Sequence, residues 1–523
     1  MLNAIYMKTI LKIKNREYVL FLIVITLGLG VAFYLYSLDK HSLIYYGDAV
    51  SHLVSARKIV DWADNPGLVQ VGSVWLPLPH FLLVPFSLID PLFTTGFAGL
   101  AVSLPSLAIT SLLLYRMILR QTGLSHIAFA GALLYASNPN ILYMGITAMT
   151  EAPFMLFFVT AAYYFQQWYE NLDVSTKSHY LLKCSIFVSL ATLCRYEGWI
   201  IPVFVTFFVI IFMVRKQIHM DARHKLAAIL ISILSFSGIA LWLIWNLHVY
   251  NDPLEFAHAQ YYSAAFQALN RTNREMLFLQ PFNVAEIYGA TSMAMYGPVL
   301  LGTAVLGYIF HRRLKGNGNR TILYVFLALP PAFTIASLLI GVGEMSFWFN
   351  ARFLMLLSPL IIMLSSLFIA NSYGRIKKIA LACIVGIIFL NQIMTPIFGV
   401  VTFVDAQGGF VYKQHPFAVQ TGEVLGSMYH SGTIFILTGS SQEHIIMQSS
   451  GIALRQFDDI IGSSTWKISF KEPWLHDKWI VIGKEPDDDA QSAAKYWINN
   501  QELLNEHYRI TYENEYYKIL VLK

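Results

Sequence analysis

Charge is what this sequence has least of. Asp, Glu, Lys and Arg together make up 13% of its 523 residues, where a water-soluble globular chain carries roughly 25%. That deficit excludes a soluble protein of this length, because a surface facing water needs charge and a surface facing lipid rejects it. Cysteine is also scarce. Cys184, Cys194 and Cys383 all lie in apolar runs, and their spacing fits neither a zinc knuckle nor a disulfide framework. They read as small core residues. Internal repeats and low-complexity tracts are absent. So is a small-x-small cleavage site after the first apolar run, Tyr18–Leu38, which at about 20 residues exceeds a signal-peptide core of roughly 7–15. With Lys8, Lys12, Lys14 and Arg16 ahead of it, this run reads as an uncleaved first span.

What is present is apolar bulk: 56% hydrophobic residues, 36 Phe and 29 Tyr, with a mean hydropathy of +0.54. A helix needs about 20 apolar residues to cross a hydrocarbon core of about 30 Å. On that measure the chain offers about eleven spans: Tyr18–Leu38, Gly96–Leu119, His126–Met144, Glu151–Trp168, Tyr180–Cys194, Trp199–Val214, Leu226–Tyr250, Gly297–Phe310, Thr321–Gly341, Phe353–Ala370 and Ile379–Val400. Alternating them from a cytoplasmic N-terminus puts about 18 Lys and Arg inside and about 7 outside, as the positive-inside rule expects. An odd number of spans leaves the C-terminus outside.

After residue 404 the character changes, with more charge, more turn residues and shorter apolar runs. Thr433–Thr438, Lys478–Ile482 and Tyr516–Leu522 read as short strands, and Gln442–Ser449 and Asp487–Asn499 as helices. The expected architecture is mainly α. It is a polytopic transmembrane helical bundle over residues 1–404, followed by a small extracytoplasmic α/β domain over 405–523. Two long outward loops, 39–95 and 251–296, are rich in aromatics, and loops of that length are usually functional.

The first of these loops carries Gly47-Asp48 and then His52 and Ser55, which share one helical face at i, i+4 and i+7. Asp48 suits an N-cap. It equally suits a general base or metal ligand, since partial desolvation at a membrane rim raises carboxylate basicity. Farther along, Trp75-Leu76-Pro77-Leu78-Pro79-His80 reads as extended backbone unfit for a regular span, with His80 a hydrogen-bond partner or a ligand contact. Thr150-Glu151 suits the start of a helix, with Glu151 either complementing the dipole or joining Asp48 in metal binding or acid–base work. Arg195 and Glu197, in Arg195-Tyr196-Glu197-Gly198, can pair with each other. Arg195 and Arg352 can instead bind phosphate, because a guanidinium grips two oxygens at once, or reach for lipid headgroups. Weaker signals are Gly439-Ser440-Ser441, read as a plain turn, Asp487-Asp488-Asp489, read as a solvated helix start, and the Asn270-Arg271-Thr272 sequon.

Taken in order, these features resemble the GT-C superfamily of membrane glycosyltransferases. They are Gly47-Asp48 with His52, the Trp75-to-His80 stretch, Asn138-Pro139 before Met149-Thr150-Glu151, the Arg195-Tyr196-Glu197-Gly198 turn, and Asn251-Asp252-Pro253-Leu254 after a Trp-rich span. The likeness covers roughly the first 400 residues and is greatest to the protein mannosyltransferase and aminoarabinose transferase branch. The Trp-Trp-Asp-Tyr-Gly motif of oligosaccharyltransferases is absent, and Pro77-Leu78-Pro79 stands where the aminoarabinose branch has a Lys-Pro-Pro-type signature.

The resemblance implies transfer of a sugar from a polyprenyl-phosphate donor to an acceptor hydroxyl (on protein, lipid or glycan) at the outer face, by inverting displacement. Asp48 and Glu151 would be catalytic, and His52, His80, Arg195, Glu197 and Arg352 would bind substrate. No cofactor is required, and a divalent metal is compatible with the residues. The competing class is a membrane transporter or lipid flippase. It expects ionisable residues near the bilayer midplane, whereas those here gather at the rims.

Overall fold

The structure is a computed structural model that describes residues 2–170, 174–214, 222–259, 274–313, 318–372, 378–411, 415–437, 442–459, 466–484, 496–497 and 499–523. The Asn270 sequon, Gly439-Ser440-Ser441 and Asp487-Asp488-Asp489 lie outside the described residues. Among the described residues, seven helices are long and apolar enough to cross a membrane, or eight if one bent pair forms a single span.

The expected eleven are not reached, and each difference has a local cause. His126–Met144 is broken at Pro139 into helices Ser125–Ala136 and Pro139–Met144, because proline lacks the N–H needed to continue a helix. Helices Glu151–Glu170 and Val174–Thr192 have 20 and 19 residues. At 1.5 Å per residue both are about long enough to cross, but polar residues such as Gln166, Gln167 and Lys183 dilute their apolarity. Gly297–Phe310 belongs to the bent pair Pro281–Tyr296 and Pro298–Arg313, which turns by 109°. Gly297 sits at the bend with φ +74°, a conformation glycine takes without a Cβ clash, and Pro298 begins the next helix.

The chain divides into two compact units. The first comprises residues 1–33, 103–146 and 150–405. In it, Glu151–Glu170 packs along Val174–Thr192, and Pro298–Arg313 along Ser358–Ser372. The second approach is close enough that a Cβ on Gly307 would lie 2.0 Å from the Leu364 carbonyl oxygen. Phe154, Phe158, Phe326 and Phe165 stack in a column with centroids 4.9–5.8 Å apart. An apolar cavity of about 430 Å³ lies between the Ser125–Ala136, Ser358–Ser372 and Lys378–Phe398 helices, and none of the candidate site residues lines it.

The second unit joins residues 34–102 and 147–149 to 406–523. Its five-stranded sheet has β1 (Thr433–Leu437), β2 (Phe457–Asp458), β3 (Asp477–Gly483), β4 (Tyr508–Glu513) and β5 (Tyr517–Leu522) in the order β2-β1-β3-β5-β4. β1 runs parallel to β2 and β3, while β5 runs antiparallel to β3 and β4. Phe435, Leu437, Ile480, Ile482, Trp497, Leu504, Tyr508 and Leu520 form its core. Residues 39–95, expected to form a loop, are largely helical: Gly47–Lys58 packs against both Pro77–Ser87 and Gln442–Ser450.

Candidate functional site

The singled-out residues fall into two groups, one in each unit. In the first unit, Glu151 is the opening residue of its helix and is fully buried. Arg195 Nη1 donates to Glu151 Oε1 at 2.7 Å and to Thr150 Oγ1 at 2.9 Å, while Nη2 donates to Glu197 Oε1 at 2.6 Å. Arg352 brings its Nε to 3.5 Å from the same Glu151 oxygen. Both guanidiniums also lie against the Phe353 ring, at 5.2 and 5.6 Å from its centroid. Neither arginine reaches out as a headgroup anchor would: their side chains are only 10% and 12% exposed.

The local sequence explains this placement. Arg195 is extended (φ −151°, ψ 146°) as the N-cap of the 3-10 turn Tyr196–Gly198, and its side chain makes no capping bond to that turn. Arg352 follows Asn350, which takes the left-handed conformation at φ 56° and donates its amide to the Glu344 carbonyl oxygen. Two cations thus face one buried carboxylate, with Glu197 balancing the second charge. Among the described residues, Glu151 Oε2 and Arg195 Nε have no hydrogen-bond partner. A buried donor and acceptor left open in this way are costly and mark a place where a polar group fits.

The second unit holds Asp48, His52 and His80. Asp48 does not cap its helix. The N-cap is Tyr46, extended and without a side-chain capping bond, and Asp48 is the second residue of Gly47–Lys58, where its charge still meets the helix N-terminus. His52 lies one turn on and is buried. Pro77 and Pro79 do not hold an extended segment: they begin the Pro77–Ser87 helix, whose first turn needs no N–H from them. His80 is thereby carried inward with no exposed surface.

Of the two readings open for His80, the geometry gives a hydrogen-bond partner. Its Nδ1–H donates to the Leu76 carbonyl oxygen at 3.1 Å, so Nε2 is the acceptor that faces His52 Nδ1 at 2.9 Å. That chain of bonds fixes the tautomers of both rings: His52 donates through Nδ1 and keeps its lone pair on Nε2. Burial pushes the His80 pKa down to about 4, so the ring is neutral at physiological pH. Trp75 covers His52 with ring centroids 4.4 Å apart.

Sequence reasoning passed over two further clusters. Asp252, Glu255 and His258, in the stretch 251–296, offer ligand atoms within 4.8 Å of one another, with the two carboxylates half-buried and the histidine exposed. Asp458, His476 and Asp477 do the same inside the α/β part. The only trace of the latter in the sequence is a His-Asp pair at the head of a strand, too short a pattern to single out.

Residues 86–242 match the family model for dolichyl-phosphate-mannose-protein mannosyltransferases. No curated protein matches the chain in sequence. Among solved structures, the fold is similar to that of ArnT from Cupriavidus metallidurans bound to undecaprenyl phosphate, with a TM-score of 0.54, 10% identity, and 95% of this chain and 97% of that one covered. The apo state of the same protein gives 0.53 at 11% identity, with the same coverage. The fold is also similar to that of the oligosaccharyltransferase AglB from Archaeoglobus fulgidus, in complex with an inhibitory peptide and a dolichol-phosphate. There the TM-score is 0.51 at 12% identity, with 94% of this chain and 72% of that one covered.

Proposed function

We propose that this chain, a multi-pass membrane protein with the fold of the GT-C glycosyltransferases, moves a sugar from a polyprenyl-phosphate-linked donor to an acceptor hydroxyl at the outer face. The observation that carries this reading is the buried Glu151–Arg195–Arg352 cluster, in a chain that also matches the mannosyltransferase family model. Two guanidiniums gathered by one carboxylate, with Arg195 Nε still open, suit a phosphate that gains charge as it leaves.

The reaction is an inverting displacement. The acceptor oxygen attacks the sugar C1 and its proton passes to Asp48. The C1–O bond to phosphate breaks on the opposite face, and the bonding pair leaves with the polyprenyl phosphate. His52, one turn from Asp48 on the same helix, orients the acceptor hydroxyl. His80 holds His52 in its tautomer. Glu151 accepts from Arg195 and faces Arg352 through the same oxygen. Its part is to hold Arg195 and Arg352, with Glu197 fixing the far side of Arg195. No step requires a metal. The N-terminus is cytoplasmic and residues 405–523 are extracytoplasmic in this scheme, in line with the distribution of basic residues.

The test is transfer from a labelled polyprenyl-phosphate sugar by the purified protein in detergent. Asp48→Asn is expected to lower turnover by about 10²–10⁴, the span a general base supplies. Arg352→Ala is expected to lower it as well, with donor binding weakened. Full activity in Asp48→Asn refutes the base assignment. Sugar efflux from proteoliposomes with no glycosidic product refutes the transferase and identifies a transporter.

A further inference from the structure

Asp458 closes the short strand β2, and His476 and Asp477 lie at the start of β3. β1 separates the two strands and pairs in parallel with both, with Asp458 opposite Phe435 and Asp477 opposite Thr433, two positions apart along β1. The ligand atoms of Asp458, His476 and Asp477 lie within 4.8 Å of one another. Ser469 joins them, with Oγ donating to Asp458 Oδ2 at 2.7 Å and lying 3.5 Å from His476 Nδ1. His476 Nδ1 is 3.2 Å from Asp477 Oδ1. This is more than an acidic cluster, because the Asp477 side chain has no exposed surface and its Oδ2 has no hydrogen-bond partner among the described residues. A buried carboxylate oxygen left open beside a second buried carboxylate calls for a cation. His476 stands at the rim, with its side chain 34% exposed, and gives the group access to solvent.

We infer that Asp458, His476 and Asp477 bind a divalent transition-metal ion, of the Zn²⁺ or Mn²⁺ class, that ties β2 to β3. The ligand set decides the class. One imidazole nitrogen with carboxylate oxygens suits zinc or manganese, whereas calcium and magnesium favour all-oxygen shells. Zinc–ligand bonds of about 2.0–2.2 Å put neighbouring ligand atoms roughly 3–3.6 Å apart, so small side-chain rotations from the present spacing close the site. The ion acts on the α/β part and has no role in the sugar transfer proposed above.

The full chain, purified in detergent through a tag free of histidine and stripped with chelator, is dialysed against micromolar Zn²⁺, and bound zinc is measured by mass spectrometry. The measurement is made in a His258→Ala background, which removes the Asp252–Glu255–His258 cluster from the count. Adding Asp477→Asn or His476→Ala is expected to lower bound zinc by one equivalent per chain. Zinc is also expected to raise the melting temperature of the parent but of neither variant. His476→Ala changes a rim residue and keeps the test valid if Asp477→Asn misfolds. Equal zinc content in the parent and in folded His476→Ala overturns the inference, and leaves the two carboxyl groups sharing a proton instead.

Discussion

Acidification should destabilise this protein through His80 in a way that can be isolated. The unfolded chain takes up a proton on this imidazole near the ordinary value of 6.5, whereas burial holds the folded ring unprotonated until about pH 4. Between those values the unfolded state binds more protons, so stability falls as pH falls. The contribution is fully present above pH 6.5, declines as pH drops from 6.5 to 4, and falls no further below that. At pH 5 the loss is about 2 kcal/mol, since each pKa unit corresponds to about 1.4 kcal/mol. Protonation would also place an N–H on His80 Nε2 facing the His52 Nδ1–H at 2.9 Å, so the bond between the rings breaks and His52 loses its fixed tautomer. The assay is denaturant or thermal unfolding in detergent from pH 7.5 to 4.5, comparing the wild type with His80→Gln. Glutamine accepts a hydrogen bond from His52 and does not titrate, so other groups cancel in the difference. The wild type should lose stability relative to the variant as pH falls from 6.5. If the two lines run parallel, the buried neutral imidazole is not what the structure implies.

Glu151→Ala leaves two arginines buried without their carboxylate and is expected to cost about 3–5 kcal/mol, with Glu151→Gln costing less; unfolding midpoints of both variants check this. Gly307→Ala pushes a methyl group against the Leu364 carbonyl oxygen and should destabilise by about 1–3 kcal/mol. Gly302→Ala on the same helix meets nothing within 4 Å and should be neutral or slightly stabilising in the same melting experiment. Lys58→Met removes the cation that pairs with the buried Asp459 carboxylate, which should lower stability by about 3–5 kcal/mol and expose the Gly47–Lys58 segment to protease.

Hydrophobic runs made most of the membrane part legible, because a long apolar helix has few other places to go. What they hid was local. Pro139 and Gly297 break runs whose average composition still looks continuous, and Pro77 and Pro79 begin a helix, a place proline tolerates although it cannot continue one. β4 carries no such signal, because Tyr508–Glu513 lies at a sheet edge, buries only Tyr508 and lacks an apolar run. For the site, the Arg195–Glu197 pair was visible at two residues' spacing. The Glu151 bond, from a residue 44 positions away, was not. Long-range pairing of charges leaves no periodic trace in one sequence.

The same limit applies to the helix that carries Asp48. By composition, residues 39–95 look like an appendage of the membrane part and residues 405–523 like a separate domain. By contacts they fold together. Gly47–Lys58 is held by Ser51 to His444, by Lys58 to Asp459, and through the Arg57–Asp61 pair, whose aspartate also accepts the Leu454 backbone N–H. Lys58, Asp459, Arg57 and Asp61 are buried, where a charge without its partner is far more costly than one at the surface. Hydropathy decides which residues can enter lipid, but these polar pairs decide which segments share a core. A carboxylate proposed to take a proton at the outer face therefore depends, for its position, on residues nearly 400 positions later in the chain.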